Sequence, residues 1–165
     1  MVMHLPHQLR VPTAVAVVGC GRWGKVLCNV LTEFLPPIER ILLVATRNTD
    51  DTRSWVHDRR AQPGGAHNER VTVTGRLEDV LSDKTIPVAF VTNMAAEHYA
   101  VTKRLLQQDK HVFVEKPFVL TTAQAEELVQ SAQERGRTLV VGHEYLVARF
   151  LHHFHAMAQQ HLPDV

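Results

Sequence analysis

Short apolar runs alternate along the chain with segments in which apolar residues recur every three or four positions. Such runs predict strands, and the longer spacing predicts amphipathic helices. The predicted strands are 14–18, 38–45, 71–74, 88–92, 111–115 and 138–141, and the predicted helical segments are one ending at Phe34 and 51–60, 77–81, 97–108 and 121–135. Strands that alternate with helices indicate a doubly wound α/β fold of the Rossmann type. We expect a mostly parallel sheet in the order 3-2-1-4-5-6, with helices on both faces.

A glycine fingerprint, Gly19-Cys20-Gly21-Arg22-Trp23-Gly24, joins the first strand to the first helix. Strand, G-x-G-x-x-G and helix in immediate succession are the context that gives this motif its meaning. Gly19 permits a tight turn, Gly21 lets backbone N–H groups approach a pyrophosphate, and Gly24 lets the helix pack close to the strand. The helix N-terminus adds unpaired N–H donors and a partial positive charge. The motif therefore predicts a dinucleotide site, against the alternative of a glycine-rich loop without a ligand.

The end of the second strand indicates which dinucleotide is bound. An acidic residue there holds the ribose 2′-OH of NAD, whereas a nearby arginine suits the 2′-phosphate of NADP. Here Thr46, Arg47 and Asn48 follow the strand, and the first carboxylate is Asp50. Hydroxyl, amide and guanidinium groups all donate hydrogen bonds to a phosphate. We predict that NADP(H) is favoured over NAD(H); the alternative is that Thr46 and Arg47 merely begin a solvated loop.

A second candidate site is Lys110-His111-Val112-Phe113-Val114-Glu115-Lys116-Pro117, at the carboxyl end of the fifth strand. Open α/β sheets place their ligands at this edge. Lys116 is the predicted catalytic residue, because a lysine there can hydrogen-bond a substrate oxygen and move a proton. Glu115 is a candidate to orient its ammonium, and Pro117 a candidate for a cis peptide. His143, after the sixth strand, either approaches the reactive end of the cofactor or caps the strand.

These motifs together resemble the nucleotide-binding half of the Gfo/Idh/MocA oxidoreductases. The resemblance lies in Gly19 to Gly24, Asn93 to His98, Lys110 to Pro117 and Val141-Gly142-His143, in that order. It implies nicotinamide-dependent oxidation or reduction of a sugar, polyol or related small molecule. It also implies positions for the cofactor-binding residues: Gly19, Gly21, Arg22, Trp23 and Gly24 beside the dinucleotide, Thr92, Asn93 and His98 along its phosphate–ribose path, and Glu115, Lys116 and Pro117 near the nicotinamide.

The chain departs from the family pattern in three ways. Thr46 stands where an acidic residue is common, which again favours NADP(H). Asp109 replaces the usual glycine before the Lys-His-Val strand, so we expect that turn to be accommodated differently. Finally, family members carry a second α/β domain that supplies most of the substrate pocket. We therefore divide the chain into a flexible leader (1–12), a Rossmann domain (13–142) and a connecting helix (143–165) toward a C-terminal substrate domain absent from this chain.

An alternative reading is a non-catalytic NADP(H)-binding module, or one component of a complex whose partner completes the site. The amphipathic pattern of residues 145–158 predicts self-association or docking of a partner chain. His152 and His155 lie one turn apart on this segment, but no carboxylate or cysteine accompanies them. We interpret them as a solvated helix face and predict no metal site.

Composition and the N-terminal sequence indicate which partners and which cellular location to expect. The 165 residues, with 45% hydrophobic residues and a net charge of +1, give no reason to expect nucleic acid or a membrane as partner. No apolar run approaches the ~20 residues needed to span a bilayer. The two cysteines make no disulfide framework, and the N-terminus lacks a signal-peptide pattern, so we expect a cytoplasmic protein. Cys20 is interpreted as a small packed loop residue rather than a catalytic thiol.

Overall fold

A computed structural model describes residues 12–34, 38–61, 69–143 and 157. Six strands form one sheet in the order β3-β2-β1-β4-β5-β6, and every neighbouring pair is parallel. The strands are β1 (Ala14–Val18), β2 (Arg40–Val44), β3 (Val71–Thr74), β4 (Val88–Val91), β5 (His111–Glu115) and β6 (Leu139–Gly142), and the helices are α1 (Arg22–Phe34), α2 (Thr49–Arg60), α3 (Glu78–Ser82), α4 (Ala95–Gln107) and α5 (Thr122–Glu134). This is the predicted Rossmann architecture and strand order.

Helices cover both faces of the sheet, as a doubly wound fold requires. On one face, Cys28 and Leu31 of α1 and Val56 of α2 pack with alternate residues of β1 and β2. On the other face, Leu105 of α4 and Leu128 of α5 pack against the opposite side of the strands. All five residues of β1 are buried, because this strand lies in the interior of the sheet between β2 and β4.

Two local signals explain how α5 begins and ends. Thr121 is the N-cap, and its side chain accepts a hydrogen bond from the backbone N–H of Gln124 at 3.3 Å. Gly136, just past the helix, has a φ of +61°. This left-handed conformation favours glycine after a helix. The helix lies within the predicted helical segment 121–135.

The turn before β5 keeps a left-handed backbone although glycine is absent. Asp109 has a φ of 58°, a conformation that aspartate tolerates better than most residues. Its carboxylate lies 3.2 Å from Arg135 and 4.0 Å from Arg137. The expectation of a different turn is therefore wrong, because Asp109 adopts the conformation that glycine would take.

Lys110 lies at the amino end of β5, away from the candidate site. It is 2% exposed, and its ammonium donates to the carbonyl oxygens of Asp83 at 2.5 Å and Ile86 at 2.9 Å. Burial lowers the pKa of Lys110. This lysine ties the loop before β4 to the start of β5, and it is not part of the carboxyl-end cleft.

Candidate functional site

The fingerprint loop is fixed at the centre of the sheet, between the ends of β2 and β4. The N–H of Gly19 donates to the carbonyl of Val44 at 2.9 Å, and the N–H of Thr92 donates to that of Val18 at 2.8 Å. Gly19 has a φ of +103°, and a Cβ there would lie 2.4 Å from the backbone nitrogen of Asn93. Only glycine fits this position without strain. The backbone conformation at Gly19 thus depends on the absence of a side chain.

The other two fingerprint glycines differ in what surrounds them. A Cβ on Gly24 would lie 1.9 Å from the carbonyl oxygen of Gly19, so this glycine permits close packing of α1 against the loop. A Cβ on Gly21 would meet nothing within 4 Å. Gly21 therefore has no packing reason to be glycine, and its exposed backbone faces open space at the N-terminus of α1. This arrangement fits an anionic ligand that approaches the backbone closely.

Two neighbouring cavities lie along this edge of the sheet. One, of about 400 Å³, is lined by the fingerprint, the residues after β2 and the exit of β4. The other, of about 420 Å³, is lined by the ends of β1 and β2, residues 75–78 and one face of α4. Gly19, Thr46, Asn93 and Glu97 line both cavities. Together they make an elongated cleft across the point where the strand order reverses, which is where open α/β sheets bind ligands.

Two polar side chains beside the loop donate hydrogen bonds to its backbone carbonyls. The hydroxyl of Thr92, predicted to contact the cofactor, donates to the carbonyl oxygen of Gly19 at 2.7 Å. The side-chain amide of Asn48 donates to the carbonyl of Cys20 at 3.3 Å. Cys20 is buried, and its desolvation raises the pKa of the thiol to about 12. Thr92 and Asn48 hold the loop in place, and Cys20 is a packed residue, as interpreted from the sequence, rather than a nucleophile.

His98 differs from the prediction that it lines the phosphate–ribose path. It is 1% exposed, and its ring nitrogens lie 2.8 Å from the carbonyl oxygen of Pro117 and 3.0 Å from that of Asn93. Both nitrogens thus face backbone carbonyl oxygens, and the ring lines neither cavity of the cleft. His98 instead joins the exit of β4 to the segment after β5.

Asn93 keeps a free acceptor at the cleft. Its side-chain nitrogen donates to Glu97 at 2.9 Å. Its Oδ1 is buried and has no hydrogen-bond partner among the described residues. Asn93 lines both cavities of the cleft, and its assignment to the phosphate–ribose path stays a prediction.

The loop after β2 brings two exposed side chains to the cleft. Thr46 and Arg47 stand at the mouth of the cleft. The guanidinium of Arg47 pairs with the carboxylate of Glu97 and also donates to Sδ of Met94. Sequence analysis missed this role of Glu97, because the two charged residues are 50 positions apart. Arg22 and Trp23 are exposed in the first turn of α1 and line the same cavity.

The second candidate site lies where β5 and β6 end side by side. Glu115 pairs with Gly142 in the parallel register, so the residues that follow, Lys116 and His143, emerge at the same edge of the sheet. Both are exposed, and the Lys116–Pro117 peptide is cis, as predicted. The carboxylate of Glu115 accepts from the backbone N–H of Lys116 at 3.2 Å. Among the described residues it makes no ion pair with the Lys116 ammonium, so Glu115 orients the backbone here.

This fold and cleft define the chain as a Rossmann-type nucleotide-binding domain. The family described as "Oxidoreductase family, NAD-binding Rossmann fold" matches residues 13–143. The chain belongs to this Gfo/Idh/MocA family of oxidoreductases.

Two relatives and one solved structure give the range of similarity. The chain is 29% identical over 129 residues to scyllo-inositol 2-dehydrogenase (NADP(+)) IolW of Bacillus subtilis (strain 168), covering 78% of this chain and 32% of that protein. It is 36% identical over 129 residues to the uncharacterized oxidoreductase YdgJ of Escherichia coli (strain K12), covering 78% and 34%. The crystal structure of GenD2 from gentamicin A biosynthesis in complex with NAD superposes with a TM-score of 0.72, 27% identity and coverage of 96% and 42%.

The chain thus spans about a third of the length of the relatives it matches. The predicted leader lies outside the described residues apart from Pro12. The predicted connecting helix, with its self-association surface and histidine pair, also lies outside them apart from His143 and Met157. Within the described ranges, no helix combines the length and apolar character that crossing a bilayer requires.

Proposed function

We propose that this chain binds NADP(H) in preference to NAD(H). We further propose that it is the nucleotide-binding part of an oxidoreductase acting on a sugar, a polyol or a related small molecule. One observation carries the proposal: Gly21, at the N-terminus of α1 with open space around its Cα, lines a cleft whose mouth, just after β2, presents Thr46 and Arg47. An arginine fork and a hydroxyl suit a phosphate, and the acidic residue that would hold a 2′-OH is missing.

The names of two related proteins bear on the proposed coenzyme and on the proposed substrate class. IolW is named for a polyol substrate and for NADP(+), which agrees with the donors at the end of β2 in this chain. GenD2 was crystallised with NAD, so the same fold accepts either dinucleotide. Because the pyrophosphate is common to both coenzymes, the preference of this chain depends on the residues around Arg47.

The chain's own residues then have distinct tasks. The amides at Gly21 and the first turn of α1 hold the pyrophosphate, and Thr46 and Arg47 bind the phosphorylated ribose. The bound nicotinamide supplies the hydride chemistry. Lys116 donates a hydrogen bond to the substrate oxygen. It also transfers the proton of the substrate hydroxyl group, alone or together with a water or His143. The register of β5 and β6 supports this pairing, because Lys116 and His143 emerge at one edge.

The first test is a calorimetric titration of the full chain with NADP⁺ and with NAD⁺. We expect NADP⁺ to bind more tightly, and tighter binding of NAD⁺ would contradict the proposed preference. The second test is turnover on a panel of sugars and polyols. Binding without turnover by the chain alone would favour the non-catalytic module or a component of a complex.

Lys116→Ala tests the catalytic assignment. We expect coenzyme affinity to be retained and turnover to be lost, because the ammonium acts on the substrate oxygen. Lys84→Ala is the matched control, since Lys84 is also exposed but lies in the loop between α3 and β4. Unchanged turnover in Lys116→Ala would remove Lys116 from the mechanism.

A further inference from the structure

Glu97 holds the arginine to which we assign the 2′-phosphate. We infer that Glu97 sets the coenzyme preference of this cleft, by competing with the 2′-phosphate of NADP(H) for Arg47. This inference rests on the proposed function, since it concerns how tightly the same site binds the phosphorylated coenzyme. Neither the fingerprint nor the residues after β2 identify Glu97 as part of the selection.

The sheet order brings the two charges together. Arg47 follows β2 and Glu97 lies in the first turn of α4, which follows β4; β1 lies between these two strands. The ion pair therefore spans the mouth of the cleft above the fingerprint loop. Both residues line the cavity of about 400 Å³ that the fingerprint borders.

The carboxylate of Glu97 engages two of the predicted cofactor-binding residues at once. Its Oε1 accepts from the guanidinium of Arg47, and its Oε2 accepts from the side-chain amide of Asn93 at 2.9 Å. The Arg47 side chain is 65% exposed and that of Glu97 is 36% exposed. The pair is thus in contact with solvent, and a ligand can reach it without a rearrangement of the core.

A 2′-phosphate and the Glu97 carboxylate compete for hydrogen bonds from the Arg47 guanidinium. The phosphate needs the same guanidinium fork, and its charge is repelled by a carboxylate beside that fork. NAD(H) carries a neutral 2′-OH at this place and meets no such repulsion. Glu97 consequently weakens NADP(H) binding more than NAD(H) binding. A glutamate in the first turn of α4 is also favourable for the helix dipole, and this purely structural role predicts no difference between the coenzymes.

The size of the effect follows from the exposure of the pair. Exposed ion pairs contribute about 0.2–1 kcal/mol, which corresponds to a change in the dissociation constant of about 1.4- to 5-fold. Removing the repulsion between the Glu97 carboxylate and the 2′-phosphate adds to this change in the NADP⁺ dissociation constant. We expect Glu97→Gln to bind NADP⁺ about two- to fivefold more tightly at low salt, with NAD⁺ affinity changed by less than about 1.5-fold.

The experiment is calorimetric titration of NADP⁺ and NAD⁺ into wild type, Glu97→Gln, Arg47→Met and the double variant. Glutamine keeps an oxygen for Asn93 and removes only the charge. Glu126→Gln is the matched control, because Glu126 is exposed on α5 and its change alters the net charge equally. In the Arg47→Met background only the repulsion is left to relieve, so we expect a smaller gain for NADP⁺ there, as a double-mutant cycle would report. Thermal unfolding of each variant checks that the fold is intact.

The outcomes separate the inference from the proposed function. If wild type prefers NADP⁺ and Glu97→Gln leaves the ratio of the two dissociation constants unchanged, the inference is overturned and the proposed function stands. If wild type prefers NAD⁺ and Glu97→Gln shifts the ratio toward NADP⁺, the inference stands and the proposed preference fails. A chain that binds neither coenzyme overturns both.

Discussion

Gly21→Ala is a substitution that should weaken coenzyme binding while leaving the fold intact. The added methyl group meets no protein atom within 4 Å, but it enters the space where a pyrophosphate would approach the loop backbone. A hydrogen bond to a charged group contributes about 1.5–3 kcal/mol. Loss of one such bond weakens coenzyme binding by about 10- to 150-fold. Because NADP⁺ and NAD⁺ share the pyrophosphate, both affinities should fall by the same factor.

Gly24→Ala is the matched comparison, since its methyl group would lie 1.9 Å from the carbonyl oxygen of Gly19 and 2.9 Å from Oγ1 of Thr92. Such overpacking destabilises by about 1–3 kcal/mol or more. For a chain of this size that lowers Tm by about 2–12 °C. Gly21→Ala should instead stay within about 1 kcal/mol of wild type.

The assay combines thermal unfolding with calorimetric titration of both coenzymes into each variant. Wild-type affinity in Gly21→Ala would refute the assignment of the fingerprint amides to the pyrophosphate. A loss of stability in Gly21→Ala equal to that in Gly24→Ala would refute the claim that the Gly21 backbone faces open space.

Three further predictions concern stability and reactivity. Burial, and then the charge of Arg137, lowers the pKa of His111 below its ordinary 6.5, so the unfolded chain binds this proton more readily. In the folded chain the Nδ1 of neutral His111 accepts a hydrogen bond from the N–H of Thr138 at 3.0 Å. The stability that this neutral form contributes is complete above about pH 6.5. It is lost as the pH falls through the lowered pKa that His111 has in the folded chain. His111→Asn should flatten this part of the urea-unfolding profile between pH 5 and 7 (about the range in which histidine titrates); parallel profiles would contradict it. Asp109→Ala should be about 1 kcal/mol less stable than Asp109→Asn, because alanine tolerates a left-handed backbone less well; equal stabilities in urea would disprove this. Both buried cysteines have a pKa raised to about 12, so a thiol reagent should modify them only in denaturant, and rapid labelling of the folded chain would show otherwise.

The architecture could be predicted because it follows from local pattern. The β-branched runs and the glycine fingerprint fix the first crossover, and the handedness of such crossovers then restricts the strand order. Helix ends were less accurate: α4 begins at Ala95, two residues before the predicted start. Its N-cap, Met94, makes no side-chain capping hydrogen bond, so the sequence contained no capping signal at that point.

The site could be predicted only in part, because several contacts join residues that are distant in the chain. His98 was assigned to the cofactor, but the carbonyl of Pro117, 19 positions away, binds its ring. Glu97 was not recognised as a partner of Arg47. No periodicity or motif encodes either contact, since each depends on how β4 lies beside β1 and β5 in the finished sheet.

The residues that fix the fingerprint loop are different from the residues that we assign to coenzyme selection. The loop is held by the backbone of Val44 at the end of β2 and by the hydroxyl of Thr92 just after β4, whereas Thr46, Arg47 and Glu97 sit on the outside of that frame with solvent access. Changes among these three side chains can therefore accumulate during evolution with little penalty to folding. A lineage could drift from one dinucleotide to the other through a few surface substitutions, and a protein engineer could follow the same route.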